Sequence, residues 1–326
     1  MMNTFKKYTL AIFATVAILF TACEDADDNG NVIPGVNSIL NQTENNADLS
    51  MLNAALIRTG LNTTFNSSAT FTLFAPNNTA FTNYLTANGI ASIDDIPVAD
   101  LRDILQYHTL TTEVTTDVMT TDYIKTLGKD DEIESLDLFI ETGTSILLNG
   151  NVTIIEADSD ADNGVVHIVN AVIELPTVFS LIAANPEFSE LTAALQINGL
   201  ETDLSNTDGT LMDPYTIFAP NDAAFQALVD LDATDEFDSI ADITSETDIT
   251  EDLLYHVVGN DRLRSGDLST GLIVNTLRPS TSFTVDVISA GAVITDATMN
   301  TANVSTTDIT AINGVVHSID LFIRSN

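Results

Sequence analysis

The side chains able to do chemistry in this 326-residue sequence are few, and most of them come in pairs. There are four histidines, His108, His167, His256 and His317, and one cysteine, Cys23. A histidine beside a serine and an acid would supply a general base, and two histidines at helical spacing would begin a zinc site. The sequence offers neither spacing in both halves. His108 and His256 each follow a tyrosine, and Leu101, Leu105 and His108 share one helical face at i, i+4 and i+7. A histidine on an apolar stripe is expected to be a core residue bonded to backbone. His167 and His317 each end the pentapeptide Asn-Gly-Val-Val-His. There an Asn-Gly turn leads into a run read as an alternating strand, 165–175 and 315–323, the last strand of each half.

The acids offer one tempting cluster. Asp158, Asp160 and Asp162 alternate as the carboxylates of a calcium loop do. The glycine comes one place late, and Val169 stands where the closing glutamate belongs, so a solvated turn is expected. These three remain the candidate metal ligands, and no cofactor is implied. Across the chain 47 acids face 10 bases, a net charge of −37, which repels phosphates and excludes nucleic acid as a partner. With mean hydropathy +0.18 the chain has the apolar content to fold.

Cys23 is explained by its position. Lys6 and Lys7 precede an apolar run, 9–20, too short to span a bilayer, which ends in Phe20-Thr21-Ala22-Cys23. This resembles a bacterial lipobox, with Phe20 in place of the usual leucine. Residues 1–22 are thus expected to be a lipoprotein signal peptide, Cys23 the site of lipid attachment, and 23–34 an acidic tether. The expected location is the cell envelope, lipid-anchored to the outer membrane and surface-exposed.

The rest of the chain is written twice. Thr72-Leu-Phe-Ala-Pro-Asn-Asn-Thr-Ala-Phe81 returns as Thr216-Ile-Phe-Ala-Pro-Asn-Asp-Ala-Ala-Phe225, seven identities in ten. Tyr107-His108 returns as Tyr255-His256, and Asn163-Gly-Val-Val-His167 as Asn313-Gly-Val-Val-His317. Ala54-Ala55-Leu56 and Leu61 match Ala193-Ala194-Leu195 and Leu200 at a shift of 139. The order of blocks predicts two domains, 35–176 and 177–326. In the first block a β-prone run breaks at Pro76, and Asn77 is placed to cap a helix over 78–88 that Gly89 closes. Asn221 is the matching cap.

These blocks together resemble those of fasciclin-like domains, over 35–326 and in the right order twice. The resemblance implies an α+β fold, two tandem domains each a β-sandwich or wedge of about seven strands with several short helices packed on it. It implies non-enzymatic adhesion or contact with a protein or matrix partner, and it points to Tyr107, His108, Tyr255 and His256 as candidate partner-binding residues. A glycan- or small-ligand-binding envelope lipoprotein is the alternative, against which the absence of tryptophan counts. A hydrolase would need a nucleophile and base in one copy, and none is recognisable.

Overall fold

The structure is a computed structural model that describes residues 37–207, 212–231, 239–245, 249–289 and 291–325. The chain divides at Ile33/Pro34, next to where the folded part is expected to begin, and everything below belongs to Pro34–Asn326. The signal peptide, Cys23 and the tether lie outside the described residues.

Each repeat is built on seven strands. In repeat one these are β1 (Phe71–Pro76), β2 (Thr109–Leu110), β3 (Asp122–Lys129), β4 (Ser135–Glu141), β5 (Leu147–Leu148), β6 (Val152–Ala161) and β7 (Gly164–Val169). Repeat two has β8 (Tyr215–Pro220), β9 (Val257–Gly259), β10 (Leu272–Asn275), β11 (Ser282–Ile288), β12 (Gly291–Thr295), β13 (Thr301–Ala311) and β14 (Gly314–Ile319). The spatial order β2-β1-β7-β6-β5-β4-β3 recurs as β9-β8-β14-β13-β12-β11-β10. The fold is α+β with seven strands per domain, in one hydrogen-bonded order each. Register shifts mark β-bulges in β6 and β13.

The first repeated block becomes β1 and the helix Asn78–Ala87. Asn77 accepts the Ala80 N–H at 2.8 Å, and Gly89, at φ +64°, closes the end as expected. The strand has two buried faces. Phe71, Leu73 and Ala75 pack under the helices with Leu56, Phe81 and Leu105. Phe74 points the other way, into a second cluster with Tyr107, Leu138 and Val152. Tyr215, Ile217, Ala219 and Phe218 divide in the same manner.

The third block is shorter and more central than its sequence suggests. β7 stops at Val169 and β14 at Ile319, and both lie parallel to β1 or β8 in the middle of the sheet. All six residues of each are buried, so the period-2 signal of a half-exposed strand is absent. Asn163 explains the start of the block. Its Oδ1 accepts the Ile39 N–H at 2.9 Å, and its Nδ2 donates to the Phe65 and Ser67 carbonyls. Asn313 repeats this with Val178, Leu204 and Asn206. One buried amide thereby joins the first helix, the loop before the central strand and the last hairpin. Asn163→Ala leaves these backbone groups without partners and is expected to cost about 3 kcal/mol in urea unfolding. An unchanged midpoint would show that water replaces the amide.

Candidate functional site

All four histidines are at most 1% exposed, and each uses both ring nitrogens on backbone. His108 Nε2 accepts the Ile173 N–H at 2.9 Å, which leaves the proton on Nδ1 to donate to the Ile104 carbonyl at 2.7 Å. His256 does the same with Ile323 and Asp252. Burial pushes both rings down to about 4, against a smaller upward pull from the carbonyl each one bonds. The neighbouring tyrosines are equally spent. Tyr107 donates to the Asp137 carbonyl and accepts from Asn149, while Tyr255 donates to Ser282 and accepts from the Ala297 N–H.

Tyr107, His108, Tyr255 and His256 therefore present no surface to a partner in this conformation. Sequence placed the two histidines on an apolar stripe, and the geometry gives them that structural role. The two histidines fasten the segment after the last strand to the helix that precedes β2 or β9, while the two tyrosines bond the backbone of β4 or β11.

The second histidine pair holds a different loop. His167 Nδ1 accepts the Asp158 N–H at 3.1 Å, and its Nε2–H donates to the Val114 carbonyl at 2.9 Å. His317 bonds Asp308 and Leu263 in the same way. Asp158 and Asp308 both have positive φ, +57° and +60°, at the bulge of β6 or β13. The Asp158 carboxylate accepts from the N–H and hydroxyl of Thr116, and that of Asp308 from Ser265. Thr72 Oγ1 completes the circuit by accepting the Val114 N–H and donating to Thr112, as Thr216 does with Leu263 and Asp261.

Asp158 is thus a clamp on a loop. Asp162 accepts the Asn37 N–H, and the backbone carbonyl of Asp160 accepts from Asn37 and Gln42. The three carboxylates of the candidate calcium loop serve separate partners or none, and no metal-sized group of His, Cys, Asp or Glu occurs among the described residues. Sequence reasoning missed Asp308 as the counterpart of Asp158. The signal was present, since each lies nine residues before the last histidine of its repeat.

The third arrangement joins the repeats. Tyr123 from β3 donates to the Leu181 carbonyl at 2.9 Å and packs into the helical core of repeat two. Lys125 bonds Asp137 at 2.6 Å and also the Asp308 carbonyl, and Asp137 accepts the Thr310 N–H at 2.6 Å. Burial holds the Asp137 carboxyl above the usual carboxylate range in spite of Lys125 and that N–H. Arg264 bonds Asp130 at 2.6 Å and Glu132 at 3.2 Å, while Arg262 pairs with Asp131 and donates to the Ile312 carbonyl at 2.6 Å. Two such partly buried arginines meeting three acids fix the register between the repeats.

The Fasciclin domain profile matches residues 47–176 and again 186–324. Transforming growth factor-beta-induced protein ig-h3 of Sus scrofa is 28% identical over 259 residues, covering 77% of this chain. The chain spans about a third of that relative, 34% of its length. Protein sll1483 of Synechocystis is 30% identical over 147 residues, 45% of this chain and 72% of that protein. A solved FAS1 domain pair from the insect cell adhesion molecule Fasciclin I is 21% identical, covers 85% of this chain and 97% of its own, and has a TM-score of 0.49.

Proposed function

This chain belongs to the Fasciclin domain family, with two tandem copies of the domain, and from that premise we propose that it is a non-enzymatic surface protein making adhesive contact with a protein or matrix partner. One observation carries the reading. The histidines and the tyrosines that precede two of them are placed identically in both repeats and used up in holding backbone. Chemistry duplicated in this way belongs to the fold, and none of it is left to turn over a substrate.

The same proposal includes a lipid on Cys23, which would hold the tandem domains at the outer membrane on the acidic tether 23–34. A small-ligand role has one feature in its favour, a cleft of about 580 Å³ where the repeats join, lined by Asn83, Tyr84, Asn151, Glu174 and Ser205 among others. One half-buried ring and no tryptophan make it a poor sugar platform.

Beads carrying the mature protein are expected to attach to cells or matrix above the level of bare beads, with and without calcium. In the parent cell Cys23→Ser is expected to abolish labelling by fatty acid and release the protein from the membrane. Equal attachment of coated and bare beads would overturn adhesion, and undiminished labelling of Cys23→Ser would overturn the anchor.

A further inference from the structure

Repeat one holds repeat two through the outward face of its β3–β4 hairpin, and among the described residues nothing covers the same face of repeat two at Ile273. Shared hydrogen bonds establish which residues correspond. Tyr107 donates to the Asp137 carbonyl and Tyr255 to the Ser282 carbonyl, so Ser282 stands where Asp137 does. Lys125 pairs across the hairpin with Asp137, and Asn275 with Ser282. Asn275 is therefore the counterpart of Lys125, and Ile273 that of Tyr123. Tyr123 is the ring that enters the core of repeat two, whereas Ile273 is 66% exposed.

The receiving surface is duplicated too. Ile39 and Val178 each donate N–H to the asparagine of the Asn-Gly turn, which makes Gln42 the counterpart of Leu181 and Asn46 that of Asn185. Pairing with Val165 and Val315 makes Asp160 the counterpart of Thr310. In repeat two this surface is covered by repeat one, and Leu181, Asn185 and Thr310 are buried. In repeat one Asn45 and Asp160 are exposed. A groove of about 550 Å³ lies there, floored by Leu49, Val166 and Ile168 and rimmed by Gln42, Asn45 and Asn46.

We propose that the chain docks head to tail on a second copy of itself, with the β10–β11 face around Ile273 seated in the repeat-one groove of the next molecule. The packing that joins repeats within a chain would then continue between chains, as stacked repeats do. The polarity of the two faces agrees. Ile273, Asn275, Ser282 and Thr284 carry no charge, so these four positions set no carboxylate against Glu156 of the groove in a chain of net charge −37, and Asp286, further along the same face of β11, accepts the Gly271 N–H. The flanking charges are inverted on both sides. Val114 and Leu263 bond matching threonines, so Glu113 stands where Arg262 does. The β10–β11 turn carries Arg278, paired locally with Asp252, where the β3–β4 turn carries Asp130 to Glu132. Opposite signs again face one another.

Gln42 and Asn45 in place of Leu181 and Ala184 make this contact weaker than the internal one. It is a heterologous contact, which leaves a free face at each end and grows chains of molecules. On a crowded surface many weak contacts of this kind act together. It names a partner for the adhesive role above and rests on that reading for its use, but it is measured in solution.

The test is sedimentation velocity on the full chain carrying Cys23→Ser, exported and free of lipid, in salt that screens the net charge. Its mean mass is expected to rise with concentration. Ile273→Asp and Asn45→Glu, both at exposed sites and expected to melt with the parent, each remove one face and should each abolish the rise. Mixed together they retain one intact pair of faces and should form dimers and nothing larger. A parent that stays monomeric overturns the proposal, and if its beads still attach to cells the adhesion reading stands. Association that survives Asn45→Glu, or appears only after residues 24–36 are deleted, also overturns it, the first by showing self-pairing of the Ile273 face and the second by placing the tether in the groove.

Discussion

Gly164→Ala is expected to destabilise repeat one by more than about 4 kcal/mol, a large share of the net stability of a domain. Gly164 opens β7 at φ +134°, and it lies directly against β1, with Phe71 as its parallel partner. A Cβ there would overlap the Phe71 carbonyl oxygen, and stand 2.8 Å from the carbonyl carbon and 2.9 Å from the nitrogen. These are backbone atoms in the middle of the sheet and cannot turn aside as a side chain would. Relief would require β1 and β7 to separate, which breaks the central pairing and exposes Leu73 and Phe74 on opposite faces. Gly314 is placed in the same way against Tyr215, so Gly314→Ala is expected to do the same to repeat two. Gly266 is the control, because a Cβ there meets nothing within 4 Å. Gly266→Ala should fall within about 0.5 kcal/mol of the parent in urea unfolding. A Gly164→Ala chain that unfolds with the parent would show that the two strands are not in the contact described.

Why glycine is required there is only half legible in the sequence. The Asn-Gly pair announces a turn, but the close approach comes from β1, more than ninety residues earlier. The first block was easier to read, since a strand, a proline and an asparagine cap are all local signals. His108 lies between these cases. Its stripe with Leu101 and Leu105 predicts burial, and the partner that fixes its tautomer, Ile173, arrives from the far end of the domain. β7 and β14 misled because a strand buried on both faces has no alternation to read. The inter-repeat contact was invisible for the opposite reason. Repetition shows what the two copies share, and Tyr123, Lys125 and Asp137 matter because Ile273, Asn275 and Ser282 do not repeat them.

Acid is expected to unfold both repeats, beginning well above the carboxylate range. His108 and His256 are neutral in the fold and titrate at about 4, against 6.5 for the exposed ring. Between those values the unfolded chain binds protons that the folded chain refuses, so stability is present above pH 6.5 and is lost as pH falls. The loss amounts to about 2 kcal/mol for each ring by about pH 5 and about 3 kcal/mol each by about pH 4. Burial also pushes His167 and His317 down, which adds to the loss in the same direction. Two effects oppose it. Asp137, held above the usual carboxylate range, favours the fold as it takes up its proton, and neutralising the surface acids relieves repulsion in a chain of net charge −37. The surface acids act where carboxylates titrate, below the upper part of the window, and Asp137 is common to the two chains compared next, so the difference between them belongs to the histidines. Melting followed from about pH 7.5 down to about pH 5 should show a steady fall in Tm. A chain with His108→Gln and His256→Gln should start lower, because a single amide does not replace both ring bonds, and should fall less over the same range. Parallel curves for the two chains would mean that the acid sensitivity arises elsewhere than in these rings.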